Sequence, residues 1–273
     1  MARALFCRSS PGAYRLSVLK CQALRCLSDG FSGAVFAEER GTVPLPVLIC
    51  KSNSLIRRRL GNVEMDLQEN KAVNLGLAAP LVTGIWVRPG ETFSFWHLVG
   101  NPSARRGYRA GLTIANGATC QGIGGGMCQF TNLIHWLVLH SPLTITEHHH
   151  HDGYDLFPDC NRKIPFGTGT SIMYNYLDYR FRNDTACTYQ LIVYTTDEYL
   201  CGELRGDRKP LRKYHISVEN ERFVVENGAV YRLGQIWRSC IDINTGNCVS
   251  RELIRDNYAK VLYDTAGLTI SPS

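Results

Sequence analysis

The residue best placed to do chemistry is Cys128, which follows three consecutive glycines in the segment QGIGGGMCQFTNLIHWLVLHSP, residues 121–142. A cysteine at the start of a helix faces the positive end of the helix dipole and unpaired backbone N–H groups. Both features favour the thiolate and lower its pKa. Gly124, Gly125 and Gly126 carry no Cβ, so the backbone of a substrate can come close. The alternative is a structural cysteine beside a loop whose glycines only satisfy turn geometry.

The element that positions this cysteine follows from hydrophobic periodicity. The apolar residues after it recur at spacings of three and four, which is typical of an amphipathic helix. They are Phe130, Leu133, Ile134, Leu137 and Val138. Pro142 ends the pattern. The sequence therefore predicts a glycine-rich loop that leads into a helix, with the thiol of Cys128 in or near the first turn.

A second candidate is the run EHHHHD, which begins at Glu147. In a strand, Glu147, His149 and His151 would share one face, and His148 and His150 would share the other. One face would then offer two imidazoles and a carboxylate. That set could supply a base and an orienting group for the cysteine. It could also bind a metal such as zinc, or it could be an exposed polar run.

The remaining pattern favours an α+β fold, with a mixed, largely antiparallel sheet, the glycine-loop and cysteine helix, and a small C-terminal β-meander. Helical periodicity covers two stretches, near residues 54–60 and 66–79, with Pro80 just after the second. Strands are predicted at 85–87, 92–95, 112–114, 143–146, 172–176, 189–194, 222–225 and 229–233, with hairpin turns at 116–117, 226–229 and 244–247. We expect a poorly specified leader over 1–40, a main domain over 41–205 and a β-rich region over 206–273.

Composition narrows the functional classes. The net charge of +6 is spread along the 273 residues, and Arg57–Arg59 is the longest basic run, so a nucleic-acid-binding arm is not indicated. Eleven cysteines, an odd number without a CxxC motif, favour reduced thiols over a disulfide framework or a zinc ribbon. No apolar stretch is long enough for a transmembrane helix, and the N-terminus lacks a clean signal peptide. We therefore expect a soluble protein made in the cytoplasm, with no integral membrane segment and no cofactor or metal.

Several longer segments make the chain resemble the VanW family. They are GIGGGMCQFTNLIHWLVLHS, TITEHHHHDGYDLFP, IPFGTGTSIMYNYLDYRFRN, ENKAVNLGLAAP, RPGETFSFWHLVG and YTTDEYLCGELR. The resemblance spans roughly residues 40–265, and its Gly-Gly-Gly-x-Cys-Gln core is fairly specific. It implies an accessory role in glycopeptide (vancomycin) resistance. For other proteins with this domain it implies L,D-transpeptidase activity on peptidoglycan.

The resemblance also implies roles for individual residues. The motif cysteine of the family maps onto Cys128 as the nucleophile, and peptidoglycan stem peptides or their precursors become the expected partners. The family histidine has its best counterpart in His151, with His149 as the second choice. We expect backbone N–H groups near Cys128 and Gln129 to stabilise the oxyanion, and Thr131 with the three glycines to contact substrate.

Three functional hypotheses remain open at this stage. A transpeptidase would work outside the membrane. A non-catalytic accessory protein would bind a cell-wall precursor or a partner on the inner side. A metal-dependent hydrolase would use the histidine run and would contain stoichiometric zinc.

Overall fold

The protein is described here from a computed structural model. The structure describes residues 10–58, 64–115, 118–150, 153–159 and 164–271, without the side chains of 114, 115, 118 and 119. The helices are α1 (Pro11–Phe31), α2 (Met65–Val82), α3 (Phe95–Val99) and α4 (Met127–Leu139). The strands are β1 (Val35–Phe36), β2 (Val47–Leu55), β3 (Ile85–Val87), β4 (Glu91–Ser94), β5 (Ala110–Ala115), β6 (Ala118–Ile123), β7 (Thr144–Glu147), β8 (Tyr154–Asp155), β9 (Arg180–Arg182), β10 (Tyr189–Thr195), β11 (Tyr199–Gly206), β12 (Arg212–Glu226), β13 (Ala229–Asp242) and β14 (Cys248–Val261).

These strands form three four-stranded sheets and one hairpin among the described residues. The first sheet has the order β2-β11-β10-β3 and is antiparallel. The second has the order β1-β4-β9-β7, and the third has the order β12-β13-β14-β8. The hairpin joins β5 and β6. Parallel pairs occur at β1–β4 and β8–β14, so the predicted α+β class with a mixed, largely antiparallel arrangement is confirmed.

The main core lies between the first sheet and two helices. Helix α2 packs against β10 and β5, and helix α4 packs against β2 and β11. All five predicted apolar residues of α4 are fully buried. Gly202 on β11 lets α4 approach the sheet closely, because a Cβ there would lie 3.0 Å from side-chain carbons of Leu133 and Leu137. Burial of this stripe fixes the orientation of α4, and hence the direction of its first turn.

Two predicted elements were wrong, and the second predicted helix, α2, continues through Pro80 to Val82 instead of ending before it. The pattern near 54–60 was interpreted as a helix, but β2 runs through Leu55, which pairs with Tyr199 of β11. Pairing across the sheet outweighed the local helical periodicity. The predicted strand over 172–176 is instead a tight turn, in which Asn175 adopts a φ of 54° and Tyr176 N–H donates to the Met173 carbonyl. The predicted hairpin turn at 116–117 lies outside the described residues.

The predicted C-terminal strands belong to a long three-stranded meander, β12 to β14. Its turns at 226–229 and 244–247 follow the Asn-Gly and Asn-Thr-Gly signals, with Asn227 and Gly228 both at positive φ. Through β8, which pairs with β14, this meander joins the segment that follows the histidine run. The division into leader, main domain and C-terminal region remains a prediction.

Part of the predicted leader is a well-formed helix. Helix α1 begins after Ser10, whose Oγ accepts a hydrogen bond from the Ala13 N–H, and Pro11 occupies its first turn. Within the part of the chain that the structure describes, no helix is both long enough and apolar enough to cross a membrane.

Candidate functional site

A cleft with a volume of about 250 Å³ opens beside the first turn of α4. Cys128 lies in its wall, so the thiol singled out from the sequence faces a space that a small peptide segment could enter. The cleft is lined by Ser54, Arg58, Gln68, Lys71, Leu112, Thr113, Gly126, Cys128, Gln129, Asn132, His150, Tyr154, Asp155, Leu156, Phe157, Pro158, Asp159, Ile164, Pro165, Phe166, Gly167, Gly169 and Thr170. It therefore combines an apolar rim with convergent polar groups, as ligand sites commonly do.

The glycine loop presents Cys128 by packing closely against other parts of the chain. Gly126 is the N-cap of α4 and has a φ of 99°, and a Cβ there would lie 2.3 Å from the Cγ atom of Lys71. Gly125 abuts the backbone of Gly111, and Gly124 abuts Pro102. Only the third glycine lines the cleft; Gly124 and Gly125 are buried away from it. Two of the three glycines thus serve loop packing.

The environment of the Cys128 thiol is apolar enough to oppose ionisation. Burial raises the pKa of the Cys128 thiol, while backbone N–H groups of Ile172 and of Cys128 itself act in the opposite direction. The prediction of a lowered pKa is therefore wrong in direction, because removal from water outweighs the helix terminus. The Gln129 N–H donates to the Gly126 carbonyl at 3.0 Å, so this N–H group is already paired. A Cys128 nucleophile would need a base.

Lys71, nearly two turns into α2, supplies a titratable amine to the same cleft. Its side chain is only 6% exposed, and its Nζ donates a hydrogen bond to Gln68 Oε1 at 2.7 Å. Burial, together with the positive charges of Arg58 and Arg57, lowers the pKa of Lys71 to about 7. About half of the Lys71 amines are therefore neutral at pH 7. A general base works best when its pKa lies near the working pH, as this one does.

Gln68 accepts the hydrogen bond from Lys71 through its Oε1 and has a side-chain NH2 group that donates to no described residue. Its Oε1 also accepts from the Arg58 N–H at 3.3 Å. Its Nε2 is buried and has no hydrogen-bond partner among the described residues. An unpaired buried amide costs about 1–3 kcal/mol, which a structure retains only where something compensates for it.

Two of the other predicted contact residues have different roles. Gln129 lines the cleft, and its Nε2 donates to Ser54 Oγ at 2.9 Å and to the Leu55 carbonyl at 2.8 Å, which ties α4 to the end of β2. Thr131 is fully buried and does not line the cleft; its hydroxyl is hydrogen-bonded to that of Thr170. Thr131 therefore supports a residue of the cleft wall from behind.

Thr170 and Asn132 form the part of the wall next to the cysteine helix. The Thr170 N–H and hydroxyl donate to Asn132 Oδ1 at 2.6 and 2.8 Å. The Thr170 hydroxyl also lies 3.4 Å from the Cys128 carbonyl. Since Asn132 lies one helical turn after Cys128, these bonds fasten the 164–170 segment to α4.

In the histidine run, Glu147 and His149 belong to a cluster of ion pairs and hydrogen bonds. Strand β7 ends at Glu147, so the predicted strand does not extend through the histidines. Glu147 accepts two hydrogen bonds from Arg25, at 2.6 and 2.7 Å, one from the Asp178 N–H at 2.8 Å, and one contact from His149 Nε2 at 2.8 Å. Burial alone would raise the pKa of Glu147, but these donors lower it. His149 is not among the residues that line the cleft.

His148 and His150 lie on the side of the run that is next to α4 and the cleft. His148 stacks on His135 of α4, with ring centroids 4.4 Å apart and an interplanar angle of 8°. His150 lines the cleft, and its Nε2 would lie 3.7 Å from a Cβ placed on Gly169. Of the described histidines in the run, His150 therefore lines the cleft that contains Cys128, and His149 does not. His151 lies outside the described residues.

His135 is a buried member of this histidine stack. Its Nδ1 lies 3.1 Å from the Tyr179 hydroxyl, and its Nε2 has no hydrogen-bond partner within the described parts of the chain. Burial, with the nearby His148, His150 and Arg238, lowers the pKa of His135 well below its usual value. A neutral imidazole therefore lies against His148 in the interior next to the cleft.

The far wall of the cleft is anchored by the C-terminal meander. Arg232 of β13 is 3% exposed and donates to Asp155, at 3.2 Å, and to Asp159. Asn257 of β14 donates to the Phe166 carbonyl at 3.3 Å, and it lies so close to Gly167 that a Cβ there would come within 2.2 Å. The C-terminal region thus shapes the cleft, although the residues singled out from the sequence all precede it.

The described residues contain no complete ligand set for a metal ion. Over 10–58, 64–115, 118–150, 153–159 and 164–271, no group of three or more histidine, cysteine, aspartate or glutamate side chains is arranged to hold a metal ion. His151 and Asp152 of the histidine run are outside these ranges.

Sequence reasoning missed Lys71, His150, Asn132 and Thr170 as residues of the cleft. For Lys71 the signal was weak, since one lysine in a helix usually faces water. For Asn132, the spacing of four from Cys128 on the same helix could have placed it beside the thiol. Thr170 and His150 approach only through loops, whose course local pattern does not predict.

Comparison with known proteins gives four results. The family model described as "VanW like protein" matches residues 70–205, which include Lys71, Cys128 and the histidine run. Over 252 residues, 92% of the chain and 91% of the relative, the sequence is 35% identical to "Vancomycin B-type resistance protein VanW" of Enterococcus faecalis. Over 118 residues, 42% of the chain and 36% of the relative, the sequence is 28% identical to "Uncharacterized protein YoaR" of Bacillus subtilis. No solved structure matches the chain.

Proposed function

The chain belongs to the VanW family, and we propose that it contributes to glycopeptide resistance as a cysteine-dependent acyltransferase acting on peptidoglycan stem peptides. The observation that carries this proposal is the cleft that Cys128 shares with Lys71 and His150. Cysteine-dependent acyl transfer requires a thiol and a nearby base, and the cleft offers two candidate bases: an amine whose pKa is lowered to about 7 and an imidazole.

The proposed reaction begins with proton transfer from the thiol. Because burial raises the pKa of Cys128, its thiol carries a proton at neutral pH. The neutral amine of Lys71 accepts that proton, and the thiolate attacks the carbonyl of the third stem residue. The C–N bond to the terminal D-alanine breaks, and the departing amine takes a proton from the Lys71 ammonium. A thioester between Cys128 and the stem remains.

In the second half of the reaction an acceptor amine from a neighbouring stem attacks the thioester. The amine gives up a proton to the base, the C–S bond breaks, and Cys128 regains its proton. No oxidant or reductant is consumed, and the amide formed replaces the amide broken. A cross-link made in this way does not use the D-Ala-D-Ala terminus. His150 also lines the cleft and is a second candidate base, and His151 remains a predicted base outside the described residues.

The experiment uses the purified full chain and a tetrapeptide stem that ends in D-alanine. We expect release of D-alanine and a mass increase on Cys128 equal to the acyl tripeptide. Cys128→Ala should abolish both, Lys71→Met should lower the rate at least tenfold, and Cys201→Ser, a half-buried cysteine on β11 away from the cleft, should leave both unchanged. Release that persists in Cys128→Ala would contradict the assignment.

A second candidate function is favoured by the environment of the thiol. Burial raises the pKa of Cys128, as it does for the thiol of Cys50, which lies outside the cleft lining. An accessory protein that binds stem peptides without chemistry would also use a buried thiol as part of an apolar wall. Stoichiometric stem binding that Cys128→Ala leaves intact, without release of D-alanine, would favour this function.

A further inference from the structure

Helix α1 is attached to the protein by its polar side. Arg25 forms a bidentate ion pair with Glu147, and Asp29 forms another with Arg180, with distances of 2.6 to 2.8 Å. Gln22 Nε2 donates to the Tyr174 carbonyl at 3.2 Å. The inward residues recur at helical spacing, so one face of α1 is fixed against the body. This arrangement reverses the usual one, in which the apolar stripe of a surface helix faces the core.

The apolar side of α1 consequently faces solvent. Its leucines and terminal phenylalanine are between 54% and 87% exposed. They are Leu16, Leu19, Leu24, Leu27 and Phe31. Together with the exposed Lys20 and Ala23 they recur at spacings of three and four and form one face, here called the leucine face. Monomeric proteins rarely leave such a contiguous apolar patch uncovered, so a partner is expected.

The charges around the leucine face indicate the chemistry of that partner. The first 28 residues contain five arginines and lysines and no aspartate or glutamate. Within α1, Arg15 and Lys20 are exposed, whereas the acidic residue Asp29 is paired with Arg180. An apolar face with cationic side chains and no exposed acidic group complements an anionic lipid surface.

A second copy of the chain fits the leucine face poorly. Lys20 lies near the middle of the leucine face, between Leu16 and Leu27. A two-fold pairing of the face with itself would bring two Lys20 ammonium groups together in an interface without water. On a bilayer, the same side chain can extend past the leucines and place its ammonium among lipid phosphates.

We propose that the leucine face of α1 holds the protein on the surface of an anionic phospholipid bilayer, with α1 lying in the plane of the interface. The leucines and Phe31 insert at the boundary of the acyl chains, while Arg15 and Lys20 contact phosphates. The ion pairs of Arg25 and Asp29 keep the helix attached to the body, so the cleft beside α4 is carried to the membrane. This proposal does not depend on the acyl-transfer function.

The test is co-sedimentation of the full chain with sucrose-loaded vesicles. We expect binding to equimolar phosphatidylcholine and phosphatidylglycerol, and much weaker binding to phosphatidylcholine alone. Leu19→Gln should lower the partition coefficient about tenfold, since one leucine no longer enters the apolar layer. Lys20→Gln should lower it about fivefold, which corresponds to one cation near an anionic surface.

Leu211→Gln is the matched control, because Leu211 is 74% exposed and lies before β12, away from α1. This variant should bind like the unaltered chain. Circular dichroism shows whether each variant keeps its fold. Absence of binding to the anionic vesicles, or equal loss in the Leu211→Gln variant, would overturn the proposal. So would sedimentation equilibrium showing a dimer that Leu19→Gln dissociates, because the leucine face would then be covered by a second copy.

Discussion

Replacement of Lys71 by methionine tests the electrostatics of the cleft most directly. The Lys71 side chain is 6% exposed, and its pKa falls from 10.5 in the unfolded chain to about 7 in the folded protein. Between these values the unfolded chain binds more protons than the folded one. The free energy of unfolding must therefore rise with pH over this window, and Lys71 must weaken the fold as the pH falls towards 7.

The magnitude follows from the two pKa values. At pH 7 about half of the folded molecules carry the Lys71 proton, whereas nearly every unfolded chain does. Carrying the linkage relation from pH 7 to pH 9 gives an increase of about 2 kcal/mol in the free energy of unfolding from this residue alone. Lys71→Met has a side chain of similar length without a proton to lose, so this increase should disappear.

The assay is urea unfolding at pH 7, 8 and 9 for the unaltered chain, for Lys71→Met and for Lys51→Met, which replaces an exposed lysine on β2. Cys128 and the tyrosines titrate in all three proteins, so their effect cancels when the slopes are compared. We expect the Lys71→Met slope to be lower by about 1 kcal/mol per pH unit. Equal slopes in the three proteins would show that the pKa of Lys71 is not lowered by burial. The argument that Lys71 is neutral enough to act as a base would then fail.

Three further predictions concern the same cleft. Alkylation of Cys128 by iodoacetamide, followed by mass spectrometry, should increase most steeply above pH 8, because burial raises its pKa; selective labelling at pH 6 would contradict this. Gly126→Ala should lower the free energy of unfolding by about 2–4 kcal/mol, because the new Cβ would lie 2.3 Å from the Cγ atom of Lys71. The control is Gly246→Ala, which also has a positive φ but open space around it and should lower the free energy of unfolding by about 1 kcal/mol. Equal decreases for the two variants in urea unfolding would show that the cleft tolerates the methyl group. Arg232→Leu should cost about 3–5 kcal/mol and increase hydrogen exchange over 154–159, since it removes the buried guanidinium that pairs with Asp155 and Asp159; unchanged exchange would mean that the wall does not depend on this ion pair.

The sequence predicted the elements whose evidence is local. The α4 stripe, the Gly-rich loop before Cys128 and the two glycine-containing turns of the meander depend on residues close together in the chain, and each was found where expected. The stretch near 54–60 failed because Leu55 pairs with Tyr199, far along the chain. Local periodicity contains no information about such a partner.

The histidine run shows the same limit at the site. Alternation predicted that adjacent histidines point to opposite sides, and His149 and His150 do so. His149 does not line the cleft; it contacts Glu147, which Arg25 of α1 holds through two hydrogen bonds. That helix lies more than a hundred residues earlier in the chain, in a segment with no recognisable motif.

By itself the sequence determined that a cysteine begins an amphipathic helix after a glycine loop, because those features are set by residue type and spacing over a few turns. The tertiary structure decided what surrounds the thiol: Lys71 from α2, His150 and Thr170 from loops, and a far wall fastened by Arg232. It also reversed the expected direction of the Cys128 pKa shift. Burial is a property of the packed molecule, and the cost of removing a charge from water depends on every segment that comes to lie around it.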